Sequence, residues 1–401
     1  MILGGSILQL PAIQTAKEMG HHVITVDIDE NCIGFEYSDE NLKLSTLDYK
    51  SIKKYVEKNP IDGIMTLATD RPVNIVAKLA SDFGLKAISI EAAKNSTNKA
   101  KMRMILNKYN ILMPKFHVVT NEEEFLKAVD DINGPTIIKA SDNAGKRGVR
   151  KLKDNASLTE KLETFKYAID NSLSKEVLVE ELIIGKEYSV ETITWKNETS
   201  IITVTNKYNS GEPAYVEIGH SQPADITYAQ YLDVKNIVNK TILNLGIENT
   251  ACHVEVMIND KGVYLIEIGP RLGGDNISTT LVKLSSGVDM VKASIQMCLN
   301  QKPHVERQFN RGSSIRYLLP IGGIFNGIEL LENVSEYMDF HELIILKENG
   351  YLMNGLSNSN DRLGYVIFSG DSREDAEKKS LIAKNNVKIV VNKFMQTNGG
   401  K

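Results

Sequence analysis

Two glutamates, Glu255 and Glu267, stand twelve positions apart in β-rich runs, His253 to Ile258 and Val263 to Ile268. The turn Asn259-Asp260-Lys261-Gly262 between them is of hairpin type. An unpaired carboxylate is costly inside an apolar strand, so two on paired strands call for a cation. Arg271 follows directly, and Gly273-Gly274 loosens the backbone behind it. Upstream, Lys139 closes a short apolar strand, and the loop after it sets Lys146 and Arg147 between Gly145 and Gly148. Free backbone N–H groups and positive charge suit a polyphosphate. Together these residues describe a site for a metal-bound phosphate. A hairpin with solvated polar faces and an ordinary basic turn is the alternative that the same stretches leave open.

Other segments must position these groups. Val177 to Val190 reads as a strand, a turn at Gly185 and a second strand. The backbone of Glu181, Leu182 and Ile183 offers donors and acceptors to an adenine edge, with Glu180 for the exocyclic amine and Glu187 for ribose hydroxyls. A two-stranded edge with solvated glutamates is the plainer reading. Lys99 opens a helix behind capping residues, on what is otherwise a solvated face. His220 falls in 214–224, read as a loop over the site, where an inert histidine is the common case.

Residues 1–85 alternate helix and strand signals, with helices over Pro11 to Gly20 and Val73 to Phe83 and strands over His22 to Asp27 and Ile61 to Leu67. That pattern predicts a parallel βαβ unit. Gly4-Gly5-Ser6 lacks the full Gly-x-Gly-x-x-Gly spacing, which argues against NAD. Helices are expected over Tyr228 to Leu245 and Ser285 to Leu299, a small α+β domain over 301–391 and a tail over 392–401.

A formal charge of −4 provides no basic field for nucleic acid. No apolar run approaches the roughly 20 residues of a membrane span, so no membrane partner is expected. Cys32, Cys252 and Cys298 are scattered without metal-type spacing, which fits a reducing cytoplasm and argues against structural zinc.

In this order and spacing, Lys99, Lys139, the glycine loop, the Glu180-Glu181-aliphatic linker with Gly185-x-Glu187, the paired glutamates and Arg271 resemble the ATP-grasp superfamily, in its carboxylate–amine ligase branch. Biotin carboxylase, carbamoyl-phosphate synthase-like proteins and the L-amino acid ligases are members. The resemblance implies an N-terminal parallel βαβ domain (1–85), a central two-lobed ATP-grasp domain (86–300, lid lobe about 112–185) and a C-terminal α+β domain. Lys99 and Lys139 are then the lysines on the ATP phosphates, and Gly145, Lys146, Arg147 and Gly148 the lid over them. Glu255 and Glu267 correspond to the magnesium carboxylates for two ions, with manganese able to substitute, and Arg271 to the arginine on the substrate carboxylate. Gly269 stands where many members carry asparagine as a third metal ligand, and Asp275 or Asn276 is the candidate replacement. The implied function is ATP-dependent amide formation through an acyl phosphate, from a small-molecule carboxylate and an amine such as amino acids, with Lys139 and Arg271 catalytic. A homodimer is also implied. A bicarbonate-using carboxylase or carbamoyl-phosphate-type enzyme, and a non-catalytic ATP-binding protein, are the competing readings.

Overall fold

The structure, a computed structural model, describes residues 1–143, 147–212 and 214–392. It divides into two compact units, one of 1–202, 226–275 and 289–305, the other of 203–225, 276–288 and the chain from 306 onward.

The first unit begins with parallel strands Ile2–Leu3, Ile24–Asp27 and Glu40–Lys43 in that spatial order. Helix Leu10–Glu18 joins the first two strands and helices Tyr49–Lys58 and Val73–Phe83 follow the third, with Leu3, Val26, Ile52, Val56 and Leu79 in the core. Gly84 ends the third helix with φ +66°, a left-handed cap that needs no Cβ. The strand expected over Ile61 to Leu67 reduces to a single bridge, Met65 against Ile2. The Asp27 carboxylate accepts from the Gly5 N–H at 2.7 Å.

Next comes a four-stranded antiparallel lobe in the spatial order Phe116–Val119, Val177–Glu181, Thr136–Ala140 and Val149–Leu152. Helices Glu122–Ile132 and Leu158–Asp170 cover it through Phe125 and Phe165, whose ring centroids lie 5.1 Å apart. Each such buried ring contributes about 1.5–3 kcal/mol. Asn121 and Ser157 cap these helices by accepting from Glu124 N and Glu160 N. Strands Gly262–Gly269, Thr250–Asn259 and Lys186–Trp195 then pair antiparallel, confirming the glutamate hairpin.

The boundary between units falls within the strand Glu198–Asn209. In the second unit this strand leads the order Glu217–Gln222, Gly312–Leu318, Gly364–Gly370 and Phe340–Ile345, and helix Arg373–Asn385 packs on the middle of the sheet. Gly323–Leu330, Leu352–Met353 and Val387–Asn392 make a second small sheet. The helix expected over Ser285 to Leu299 is broken into Val282–Ser286 and Met290–Cys298, because Gly287 takes φ +77° and Asp289 caps a new start. The α/β and α+β organisation is as expected. Residues 393–401, most of the expected tail, lie outside the described residues.

Candidate active site

Asn98 joins helices Ile90–Thr97 and Lys99–Asn107, and its side chain caps the second by accepting from Lys101 N at 2.9 Å. Lys99 is therefore the first helical residue. Its N–H donates to Ser141 O, its ammonium donates to Asn143 O at 2.8 Å, and it pairs with Glu267 at 2.9 Å. Burial pulls the Lys99 pKa down, but Glu267, then Asp70 and Glu255, outweigh it and hold the pKa above the ordinary value.

Four residues on, Arg103 presents the same helix face. It is fully buried, with Nε 2.5 Å from Glu180 and Nη2 donating to Ile266 O at 2.7 Å. Lys139 meets the other Glu180 oxygen at 2.6 Å. Burial alone would raise the pKa of Glu180, yet Arg103 and Lys139 bring it down to about 2. Glu180 is thus a buried anion spanning two cations, not an open acceptor for an adenine amine. Sequence reasoning missed Arg103, whose i, i+4 spacing from Lys99 gives its helix face but not its pairing with Glu180.

Across the hairpin, Glu255 lies directly opposite Glu267, and His253 sits between Gly269 and Glu191 on the adjoining strands. His253 Nδ1 contacts the fully buried Glu191 at 2.6 Å, and Nε2 lies 3.7 Å from Glu255. Burial lowers the His253 pKa, but Glu191 and Glu255 overcome this and push it up to about 9. Beyond Gly269, Arg271 holds Asp70 with Nε at 3.0 Å and Nη2 at 3.2 Å. Burial acts to lower the Arg271 pKa, and Asp70 more than reverses it. A Cβ on Gly269 would come within 2.9 Å of Asp70 Oδ1 and 3.0 Å of Arg271 Cζ. The space of the expected third metal ligand is therefore occupied by an ion pair. Neither Asp70 nor Glu191 was singled out from sequence.

Among the described residues no three carboxylate, histidine or cysteine side chains gather as a metal cluster. Glu255 and Glu267 keep 26% and 33% of their side-chain surface exposed, and two open carboxylates facing each other suit a hard divalent ion that keeps water and phosphate oxygens as its other ligands.

The other expected residues are distributed as follows. Glu181 N and Leu182 N donate to Lys115 O and Pro135 O, and Ile183 is buried beside them. Glu187 is half-buried in register with Met257. Arg147 is exposed, and Gly148 takes φ +73° with room for no Cβ, since one would stand 2.7 Å from that of Ala140. Gly145 and Lys146 lie outside the described residues. His220 is not in a loop. It lies wholly buried in strand Glu217–Gln222 of the second unit, edge-on to Tyr317 with ring centroids 6.2 Å apart. Asn276, one candidate replacement ligand, starts a helical turn, its carbonyl accepting from Thr280 N and Leu281 N.

Residues 132–280 match the ATP-grasp domain, and residues 316–392 match the L-amino acid ligase C-terminal domain 2. The chain thus carries stretches matching an ATP-grasp domain and an L-amino acid ligase C-terminal domain. The fold is that of an L-amino acid ligase from Bacillus licheniformis, at TM-score 0.82, 20% identity and 98% coverage of both chains. A phosphoribosylglycinamide synthetase from Anaerococcus prevotii is 25% identical at TM-score 0.79, again with 98% of each chain covered. An uncharacterised Sinorhizobium fredii protein is 25% identical over 78% of this chain. The chain spans 65% of that relative's length, and 27% of a carbamoyl phosphate synthase large chain that it also matches. Among the described residues no helix is long and apolar enough to cross a membrane.

Proposed function

We propose that the chain is an ATP-dependent carboxylate–amine ligase. It would transfer the ATP γ-phosphoryl group to a carboxylate, and an amine would then displace the phosphate to leave an amide, ADP and phosphate. The observation that carries this reading is the facing pair Glu255 and Glu267, with Lys99 on Glu267 at 2.9 Å. A non-catalytic nucleotide binder has no need of two opposed carboxylates held against a phosphate-type lysine. The match of 316–392 to the L-amino acid ligase domain favours amide formation over bicarbonate chemistry.

A carboxylate is a poor electrophile because its oxygen is a poor leaving group, and phosphorylation supplies a better one. Lys99 and Lys139 would hold the phosphates, the segment Glu181 to Ile183 would meet the base, and Glu187 the ribose. Magnesium on Glu255 and Glu267, or manganese in its place, would neutralise charge on the transferring group. Arg271, already oriented by Asp70, would align the substrate carboxylate. No side chain needs to act as a covalent nucleophile. His220 has no role in this scheme, because its ring is wholly buried. Amino acids as substrates, two metal ions, a homodimer, a cytoplasmic location and the three-domain division at 85 and 300 belong to the same proposal.

The test is ADP release on screening pooled amino acids, small acids and bicarbonate. Turnover that needs an acid together with an amine is expected, and Glu267→Gln should abolish it while ADP still binds. Full activity in that variant would sink the metal assignment, and turnover with bicarbonate alone would favour a carboxylase.

A further inference from the structure

A cavity of about 350 Å³ opens beside Lys99 and Glu267. Lys139 and the segment Glu181 to Ile183 do not line it, so it leads away from the nucleotide base. Its walls come from helices Val73–Phe83, Ile90–Thr97 and Lys99–Asn107 with the segments next to them, and they carry Arg71, Lys78, Lys94 and Lys101. Each carboxylate of the lining is engaged. Glu267 pairs with Lys99 and Asp70 with Arg271, while Asp142 accepts from Ser172 Oγ and from the N–H groups of Leu173 and Ser174.

The four cations have no such counterpart. Among the described residues no carboxylate lies within ion-pair distance of any of them, and Lys78 only overhangs the Tyr49 ring at 5.7 Å. Four like charges around one space repel, and an anion placed among them relieves that repulsion. Asn74 also belongs to this wall, its Nδ2 donating to Thr97 Oγ1 at 2.9 Å and its Oδ1 buried without a partner.

We propose that this cavity takes a substrate carrying a second anionic group besides the reacting one, a phosphate ester or an additional carboxylate. The proposal rests on the ligase reading and specifies its substrate class. Aspartate and O-phosphoserine are suitable probes, with alanine, whose only anionic group is its one carboxylate, as the reference.

The full chain, saturated with ADP and magnesium, is titrated calorimetrically with each probe, and so is the variant Lys78→Gln/Lys94→Gln/Lys101→Gln. The expected result is binding of aspartate or O-phosphoserine about tenfold tighter than alanine, as charge-assisted hydrogen bonds give. The preference weakens with salt and disappears in the variant, whose ADP affinity is unchanged. Doubly anionic probes no tighter than alanine, or an unaltered preference in the variant, overturn the proposal while ADP binding leaves the ligase reading standing. Loss of ADP affinity in the variant also overturns it, assigning the cations to the nucleotide. A wild-type chain that does not bind ADP removes the ligase reading itself.

Discussion

Arg271 reaches across 201 positions of sequence to hold Asp70, and it does so over the bare backbone of Gly269. The absence of a side chain at Gly269 is what leaves room for the guanidinium beside Asp70. Installing Gly269→Asn should therefore not complete a metal site. The new Cβ would meet Asp70 Oδ1 at 2.9 Å and displace the arginine. We expect kcat/KM for the carboxylate substrate to fall by about 100-fold, the scale of a 1 Å misplacement, with ADP affinity retained. A variant that binds an extra metal ion and stays active would refute this account.

The buried anion Glu180 ties stability to acid. Its pKa falls from 4.5 to about 2 on folding, so its contribution is full above about pH 4.5 and is lost as pH drops toward 2. Glu180→Gln leaves Arg103 and Lys139 facing a neutral amide, at a cost of about 3–5 kcal/mol. Urea unfolding from neutral pH downward is the measurement: the wild type should weaken through that window, and the variant should start lower and decline less.

His253 works in the opposite direction. A histidine whose pKa rises from 6.5 to about 9 adds stability that is whole below about pH 6.5 and disappears as pH climbs through 9. In metal-free protein the His253 ring resonances should titrate near pH 9, and Glu191→Gln should bring that midpoint down. An unshifted midpoint in the variant would show that Glu191 does not hold the proton.

How far the fold and site were legible follows from these residues. The glutamate hairpin was readable because turn type and strand composition are local, and Lys99 because its cap is local. Asp70 and Arg103 were not, since their partners lie 201 and 77 positions away and no periodicity marks such a pairing. The strand Glu217–Gln222 was hidden by its polar sequence. Its last four residues are buried, and Gln222 meets the distant Thr205 and Ser285. Apolar periodicity also runs straight through Gly287, where the backbone does not.

The Glu180 contact has a mechanical side. One carboxylate is tied to Arg103, on the helix that begins with Lys99, and to Lys139, on the central strand of the four-stranded lobe. Pulling the two stretches apart would strand a buried charge, so this contact resists separation of the lobe from the helix that Lys99 begins. Glu180 and Lys139 belong to adjoining strands of the lobe, so the tie to Arg103 fixes both of them against that helix.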